Sequence, residues 1–248
     1  MSQVILITGA SRGIGAATAL LAAHAGYAVA VNYSANSLAA DEVVRQIRKK
    51  GGNAITVQAD VAIEAQVLAM FEKVYAKLGR LTALVNNAGV VDQAARVDGM
   101  SVARLKRMFD INVIGTMVCA REAIKRMSTL YGGAGGAIVN VSSVAARLGA
   151  PGQYVDYAAA KGAVDVFTLG LAKEVAAEGI RVNAVRPGII DTDIHASGGL
   201  PDRARQIAPQ LPMQRAGTAD EVARSIVWLL SNESSYTTGA LLDIGGGR

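Results

Sequence analysis

Short aliphatic, β-branched runs alternate with longer stretches of near-3.6 periodicity from one end of this 248-residue chain to the other. Gln3–Thr8, Ala28–Tyr33, Ala54–Ala59, Ala83–Asn86, Ala137–Ser142, Arg181–Val185 and Leu241–Ile244 read as strands. Between them Gly13–Ala25, Ser37–Lys50, Ile63–Leu78, Ser101–Met127, Tyr154–Glu178 and Ala219–Leu230 read as helices. Regular βαβ alternation predicts a seven-stranded parallel sheet with right-handed crossovers and helices on both faces. No linker breaks the spacing, so residues 1–248 are expected to form a single α/β domain. The least regular stretch, Pro187–Thr218, holds Pro201, Pro209 and Pro212 and a short helical pattern near Asp202–Ala208. It follows a strand's C-terminal end, where open α/β sheets bind ligands, so residues 191–214 are expected to act as a substrate lid.

Composition supports a core of small aliphatic groups, with 51% hydrophobic residues and only 4% aromatic. The single Cys119 excludes an internal disulfide, and His24 and His195 stand too far apart to suggest a metal site. A reducing, cytoplasmic setting is therefore expected. Met1-Ser2-Gln3 runs into a strand without the basic start of a signal peptide. Gly13–Val31 lacks charge, but His24, Gly26 and Tyr27 break it, which favours helix, turn and strand over a membrane span. The net charge of +5 comes from scattered Lys and Arg rather than a basic run. That weakens a nucleic-acid reading and leaves an anionic small ligand open. Trp228 and Met100 read as packing groups, Cys119 as a small buried side chain, and His195 as a residue of the lid that could meet substrate.

The strand at Val4–Thr8 leads through Gly9-Ala10-Ser11-Arg12-Gly13-Ile14-Gly15 into an Ala-rich helix. Glycines there let the backbone turn tightly and approach a pyrophosphate, whose charge meets helix N-terminal amides. The spacing Gly-x-x-x-Gly-x-Gly, placed between first strand and first helix, points to a nucleotide site.

From this loop onward the chain resembles the short-chain dehydrogenase/reductase family, which implies a Rossmann-type doubly wound fold. Asn86-Asn87-Ala88-Gly89 ends the fourth strand; by resemblance it supports the sheet, with Asn87, Ala88 and Gly89 lining the cofactor cleft. Asp60-Val61 matches the family's contact with the adenine ring. Pro187-Gly188-Ile189-Ile190-Asp191-Thr192 is similar to the Pro-Gly segment beside the nicotinamide carboxamide, which brings in Pro187, Gly188, Ile190 and Thr192.

Tyr157-Ala158-Ala159-Ala160-Lys161 places Tyr and Lys on one helix face, one turn apart. A free tyrosine, with a pKa near 10, is a poor base at neutral pH. A neighbouring ammonium and the positive ring of an oxidised nicotinamide are expected to favour phenolate. The pair could then exchange a proton with a substrate oxygen while hydride moves at carbon. In the family the second serine of a Ser-Ser strand end stands thirteen residues before the tyrosine; here Ser143 stands fourteen before Tyr157. The extra residue is expected within Ala150–Asp156. Strand alternation sets Ser142 and Ser143 on opposite faces, and Ser143 is expected to hold the substrate oxygen. By resemblance, Asn112 kinks its helix and holds a water linked to Lys161.

An acid at the end of the second strand would bond the ribose of NAD and repel a 2′-phosphate. This chain has Asn32-Tyr33-Ser34-Ala35-Asn36 instead, and Arg12 could reach that phosphate. The expected cofactor is NADP(H), with NAD(H) still open, and Asn32, Tyr33 and Ser34 join the expected contacts.

The residues thus predict hydride transfer with a small carbonyl or alcohol as partner, without metal, nucleic acid or membrane. The family's 3-oxoacyl-carrier-protein reductases and glucose 1-dehydrogenase-like enzymes are the look-alikes. Lys125-Arg126 could touch an acidic carrier protein, whereas Glu178 stands where carrier-protein readers tend to be basic. A non-catalytic NADP(H) sensor is the rival from another class, and a purely structural oligomer component is a third. Apolar residues on several sides of the two longest helices, together with the resemblance, predict a homotetramer, with Gly245–Arg248 either reaching across an interface or ending as a frayed terminus.

Overall fold

The computed structural model describes residues 3–194 and 198–248; His195, expected in the lid, lies outside them. Seven strands pair in parallel in the order β3-β2-β1-β4-β5-β6-β7. They are β1 Val4–Ile7, β2 Ala28–Tyr33, β3 Ala54–Gln58, β4 Ala83–Asn86, β5 Gly136–Val141, β6 Ile180–Pro187 and β7 Leu241–Ile244. Every strand expected from the sequence forms, three of them with the expected bounds and the others with ends shifted by at most two residues.

Side-chain alternation along the strands builds two cores. Ile5 and Ile7 of β1 pack on one face with α1 (Gly13–His24), α2 (Ser37–Lys49) and α9 (Ala219–Leu230). Val4 and Leu6 face the other side, beneath α3 (Glu64–Leu78), α5 (Gly115–Met127) and α7 (Val155–Val175). This is the doubly wound Rossmann-type arrangement. Its strand order reverses between β1 and β4, whose C-terminal ends open a crevice.

The helix expected over Ser101–Met127 is interrupted. It consists of α4 (Val102–Phe109), a π-helical turn at Asp110–Ile114, and α5. The turn places Asn112 inside the protein, and such turns cluster at functional sites. A four-residue helix, α6 (Ala145–Leu148), follows β5 and is absent from the sequence pattern. Between Pro187 and Thr218 the short helix α8 (Arg203–Ile207) forms where helical spacing was expected. Ile189, Ala204 and Leu211 give this stretch its own small core.

Trp228 departs from its expected packing role: it is 41% exposed on α9, because Val222, Ile226 and Leu229 occupy the buried stripe of that helix. No helix among the described residues is long and apolar enough to cross a membrane. Nor do His, Cys, Asp and Glu cluster there as metal ligands would.

Candidate active site

A cleft of about 930 Å³ opens at the C-terminal ends of the strands. Its floor at the switch point is the glycine loop. Gly9 turns at φ +61 and Gly13 at φ +55, values that glycine adopts without strain. Gly9, Ser11, Arg12, Gly13 and Ile14 line the cleft, whereas Gly15 is buried beneath it. A Cβ on Gly15 would lie 2.5 Å from Asn87 Nδ2 and 2.7 Å from Gly9 O. Gly15 thus admits the Asn87 amide, which donates to Thr8 O at 2.8 Å and Gly9 O at 2.9 Å. Thr8 Oγ1 in turn accepts the Asn87 and Ala88 amides, welding the β4 end to the loop. No side chain caps α1, and its first turn holds no acid. Its open amides suit an anionic phosphate group.

Asn32, expected as a cofactor contact, lines the cleft, while its side chain is 1% exposed and committed to the backbone. Oδ1 accepts the Gly9 amide at 3.0 Å, while Nδ2 donates to Val57 O at 3.2 Å and Ala59 O at 3.0 Å. A buried amide satisfied on both ends holds three strand ends together. Tyr33, Ser34, Asp60 and Val61 line the cleft beyond it. Asp60 Oδ1 accepts the Ala62 amide in a turn, and Gly115 leaves room for Val61, which a Cβ there would meet at 2.8 Å.

Ser142 and Ser143 both line the cleft. The buried Ser142 hydroxyl donates to Lys161 O at 3.2 Å, while Ser143 hydrogen-bonds Tyr157. Between α6 and α7 the chain makes a tight turn. Gly149, Ala150 and Gly152 all have positive φ. Ala150, at φ +46, carries strain there.

Lys161 Nζ donates to Val141 O at 2.7 Å and lies 5.6 Å from the Tyr157 ring centre. Burial pulls its pKa down to about 8, with Asp165 opposing. Burial pushes Tyr157 up to about 12, opposed by the Ser143 hydrogen bond. The ammonium was expected to lower the Tyr157 pKa; here desolvation outweighs every group the chain supplies. Asn112 anchors this region from below. Its Oδ1 accepts the Val90 amide at 3.2 Å, and Nδ2 donates to Val90 O at 3.1 Å and Met108 O at 2.9 Å. A Cβ on Gly89 would lie 2.8 Å from Asn112 Oδ1 and 3.6 Å from Lys161 Nζ, so both groups border that glycine.

Pro187, Gly188, Ile190 and Thr192 close the far wall, and Thr192 reaches back towards Gly13, where a Cβ would meet its Cγ2 at 3.4 Å. Sequence reasoning missed the cluster around the start of α7. Arg104 Nε and Nη2 grip the fully buried Asp156 carboxylate at 2.8 and 3.2 Å. Gln153, Tyr154 and Arg203 also line the cleft, as does Arg107. Separations such as the 52 residues between Arg104 and Asp156 leave no periodic signal. Cys119 is buried with its thiol pushed up to about 12, too inert for a nucleophile.

Comparison with known proteins agrees with this geometry. The family described as Enoyl-(Acyl carrier protein) reductase matches residues 9–248. An uncharacterized oxidoreductase, YgfF, of Escherichia coli (strain K12) is 55% identical over 99% of both chains. A 3-oxoacyl-[acyl-carrier-protein] reductase of Synechocystis is 40% identical, covering 99% of this chain and 96% of the relative. A solved doubly substituted mutant of a Serratia marcescens short-chain dehydrogenase/reductase superposes with a TM-score of 0.89. It is 32% identical and covers 100% of this chain and 98% of its own.

Proposed function

The chain belongs to the short-chain dehydrogenase/reductase family, and from that premise we propose that it is an NADP(H)-dependent carbonyl reductase or alcohol dehydrogenase. It is an oxidoreductase acting between a CH–OH group and a carbonyl. The observation carrying the finer reading is one cleft wall presenting Ser143, Tyr157 and Lys161 together. When bound, the nicotinamide supplies or accepts the hydride at the substrate carbon.

The protein's own groups do the rest. Ser143 and Tyr157 hold the substrate oxygen between two hydroxyls. In the reductive direction Tyr157 is the acid, and its raised pKa keeps the proton in place until the oxygen takes it. Lys161, fixed by the Val141 carbonyl, presents Nζ to a nicotinamide ribose and returns a proton to Tyr157; a pKa of about 8 suits exchange near neutrality. The passage over Gly89, between Asn112 and Lys161, is the outlet for that proton, and Asn112 shapes it. Ser11, Gly13 and Ile14 meet the pyrophosphate at the open start of α1. Asp60 and Val61 flank the adenine. Ala88, Gly89, Pro187, Gly188, Ile190 and Thr192 wall the nicotinamide half.

NADP(H) is preferred because Tyr33 and Ser34 stand where an acid would repel a 2′-phosphate, and Arg12 lies at the same end of the cleft. NAD(H) remains a weaker ligand. Residues 191–214 act as the lid over a small carbonyl or alcohol. Val166 on α7 and Leu242 on β7, 71% and 36% exposed, support assembly into a homotetramer. The single buried thiol suits a reducing, cytoplasmic setting.

Tyr157→Phe tests the central role: turnover of carbonyl compounds should vanish while NADPH still binds. Retained turnover would remove Tyr157 as the acid. NADPH binding without turnover by the unaltered protein across a broad carbonyl panel would make it a nucleotide sensor. Arg12→Ala should narrow the NADPH-over-NADH preference; an unchanged ratio removes Arg12 from cofactor choice.

A further inference from the structure

Arg203 lines the cleft, and among the described residues its guanidinium has neutral partners. Its carbon lies 5.1 Å from the centre of the Tyr154 ring, and Nη2 donates to Gln153 Oε1 at 2.7 Å. These two partners stand three and four residues before Tyr157, so Arg203 borders the turn that leads into the tyrosine. Tyr154 is buried, and the lid closes on it: a Cβ on Gly198 would come within 3.3 Å of its hydroxyl. No carboxylate among the described residues lies within 4.0 Å of Arg203, whereas its neighbour Asp202 pairs with Arg205. Asp193, which also lines the cleft, has a partner of its own.

A half-buried cation held by an amide oxygen and a ring face keeps part of its hydrogen-bonding fork for something else. Apolar residues of the same cleft, Val91, Leu148, Ile189 and Ile194, would take a hydrocarbon body. We propose that Arg203 is a specificity-determining residue that receives a substrate carboxylate, so that the enzyme acts on oxo acids and the corresponding hydroxy acids. This rests on the reductase reading above and leaves its hydride and proton transfers unchanged. Such a pairing is charge-assisted and can be bidentate. Stacking on Tyr154 fixes the plane of the fork in advance, which lowers the ordering cost of binding.

The test compares kcat/KM of the NADPH-loaded enzyme for straight-chain oxo acids of increasing length, starting at 4-oxopentanoate, with that for their methyl esters. The best oxo acid should exceed its ester at least about tenfold, the scale of one charge-assisted contact. Arg203→Gln should reduce that acid-to-ester ratio at least about tenfold, mainly through KM, and Arg203→Lys should restore part of it. Raising the salt concentration should also raise KM for the acid more than for the ester. Esters turned over as well as acids, or equal losses for both in Arg203→Gln, overturn the inference and leave the reductase intact. If neither acids nor esters nor neutral ketones are turned over, the reductase reading fails, and this inference falls with it.

Discussion

Arg104 grips Asp156 from α4 with two nitrogens, at 2.8 and 3.2 Å, and the carboxylate it holds belongs to the residue immediately before Tyr157. A third nitrogen, Nη1, donates to Gln93 O at 2.6 Å, so one side chain binds the loop after β4, α4 and the start of α7. The Asp156 side chain is fully buried and that of Arg104 is 11% exposed.

Removing Arg104 alone should therefore be costly. Arg104→Met leaves a buried carboxylate without its partner, a change worth about 3–5 kcal/mol in comparable pairs. Urea denaturation should show that loss, and the double variant Arg104→Met with Asp156→Leu should recover most of it, since neither charge then needs compensation. Additive losses in the double variant would mean that the two residues stabilise the fold independently.

The pH dependence of stability follows from the two buried groups of the site. Lys161 has a folded pKa of about 8, below its ordinary 10.5. Between those values the unfolded chain binds the extra proton, so stability rises with pH; this contribution is complete above 10.5 and disappears as pH falls through 8. Tyr157 has a folded pKa of about 12, above its ordinary 10.0. Its contribution is complete below 10 and is lost as pH rises through 12. The buried Cys119 thiol, raised to about 12 from 9.0, opposes the rise above pH 9, so denaturation of the cofactor-free protein should give a stability maximum between about pH 9 and 10. Lys161→Met should flatten the rising limb and Tyr157→Phe the falling one. A rising limb that persists in Lys161→Met would assign it to another group.

The fold was legible because strand and helix periods repeat along the whole chain, and the glycine loop because Gly9, Gly13 and Gly15 meet needs that other residues cannot. Alternation along β5 separates the Ser142 and Ser143 side chains, and the Ser142 hydroxyl is spent on the Lys161 carbonyl. The π-turn at Asp110–Ile114 was hidden, since its sequence carries ordinary helical spacing and only tertiary contacts of Asn112 with Val90 open it. The structural work of Asn32 was hidden for a related reason: Gly9, Val57 and Ala59, which claim its amide, are 23 to 27 residues away in the chain. The Tyr157 pKa went against expectation because burial cannot be seen in a Tyr-x-x-x-Lys spacing.

Gly15 offers a sharp test of the loop. Gly15→Ala would force a methyl group against Asn87 Nδ2 and Gly9 O, both closer than 3 Å. The Asn87 clamp must then give way, and with it the turn that presents the α1 amides. NADPH affinity should fall at least about tenfold, which corresponds to about 1.4 kcal/mol. Isothermal titration reads this directly, and unchanged affinity would show that the loop tolerates displacement of Asn87.

Arg181 gives a contrasting expectation, a stability effect remote from the site. From β6 its Nη1 donates to Leu229 O at 2.8 Å, Ser234 Oγ at 3.0 Å and Thr237 O at 3.3 Å. Nη2 donates to Leu230 O at 3.3 Å and Ser231 O at 3.0 Å. The last carbonyls of α9 have no partners within the helix, so a single guanidinium satisfies the end of that helix and the turn into β7. Arg181→Met should cost about 3 kcal/mol, because partly buried carbonyls lose a charged donor. For a chain of this size that lowers Tm by roughly 6–12 °C. Arg181→Lys should recover only a minor part, since an ammonium cannot span the same set of acceptors. Scanning calorimetry with and without NADPH measures both points. The Tm increment due to NADPH should be the same in Arg181→Met as in the unaltered protein, and a smaller increment would tie the α9–β7 corner to the cofactor cleft.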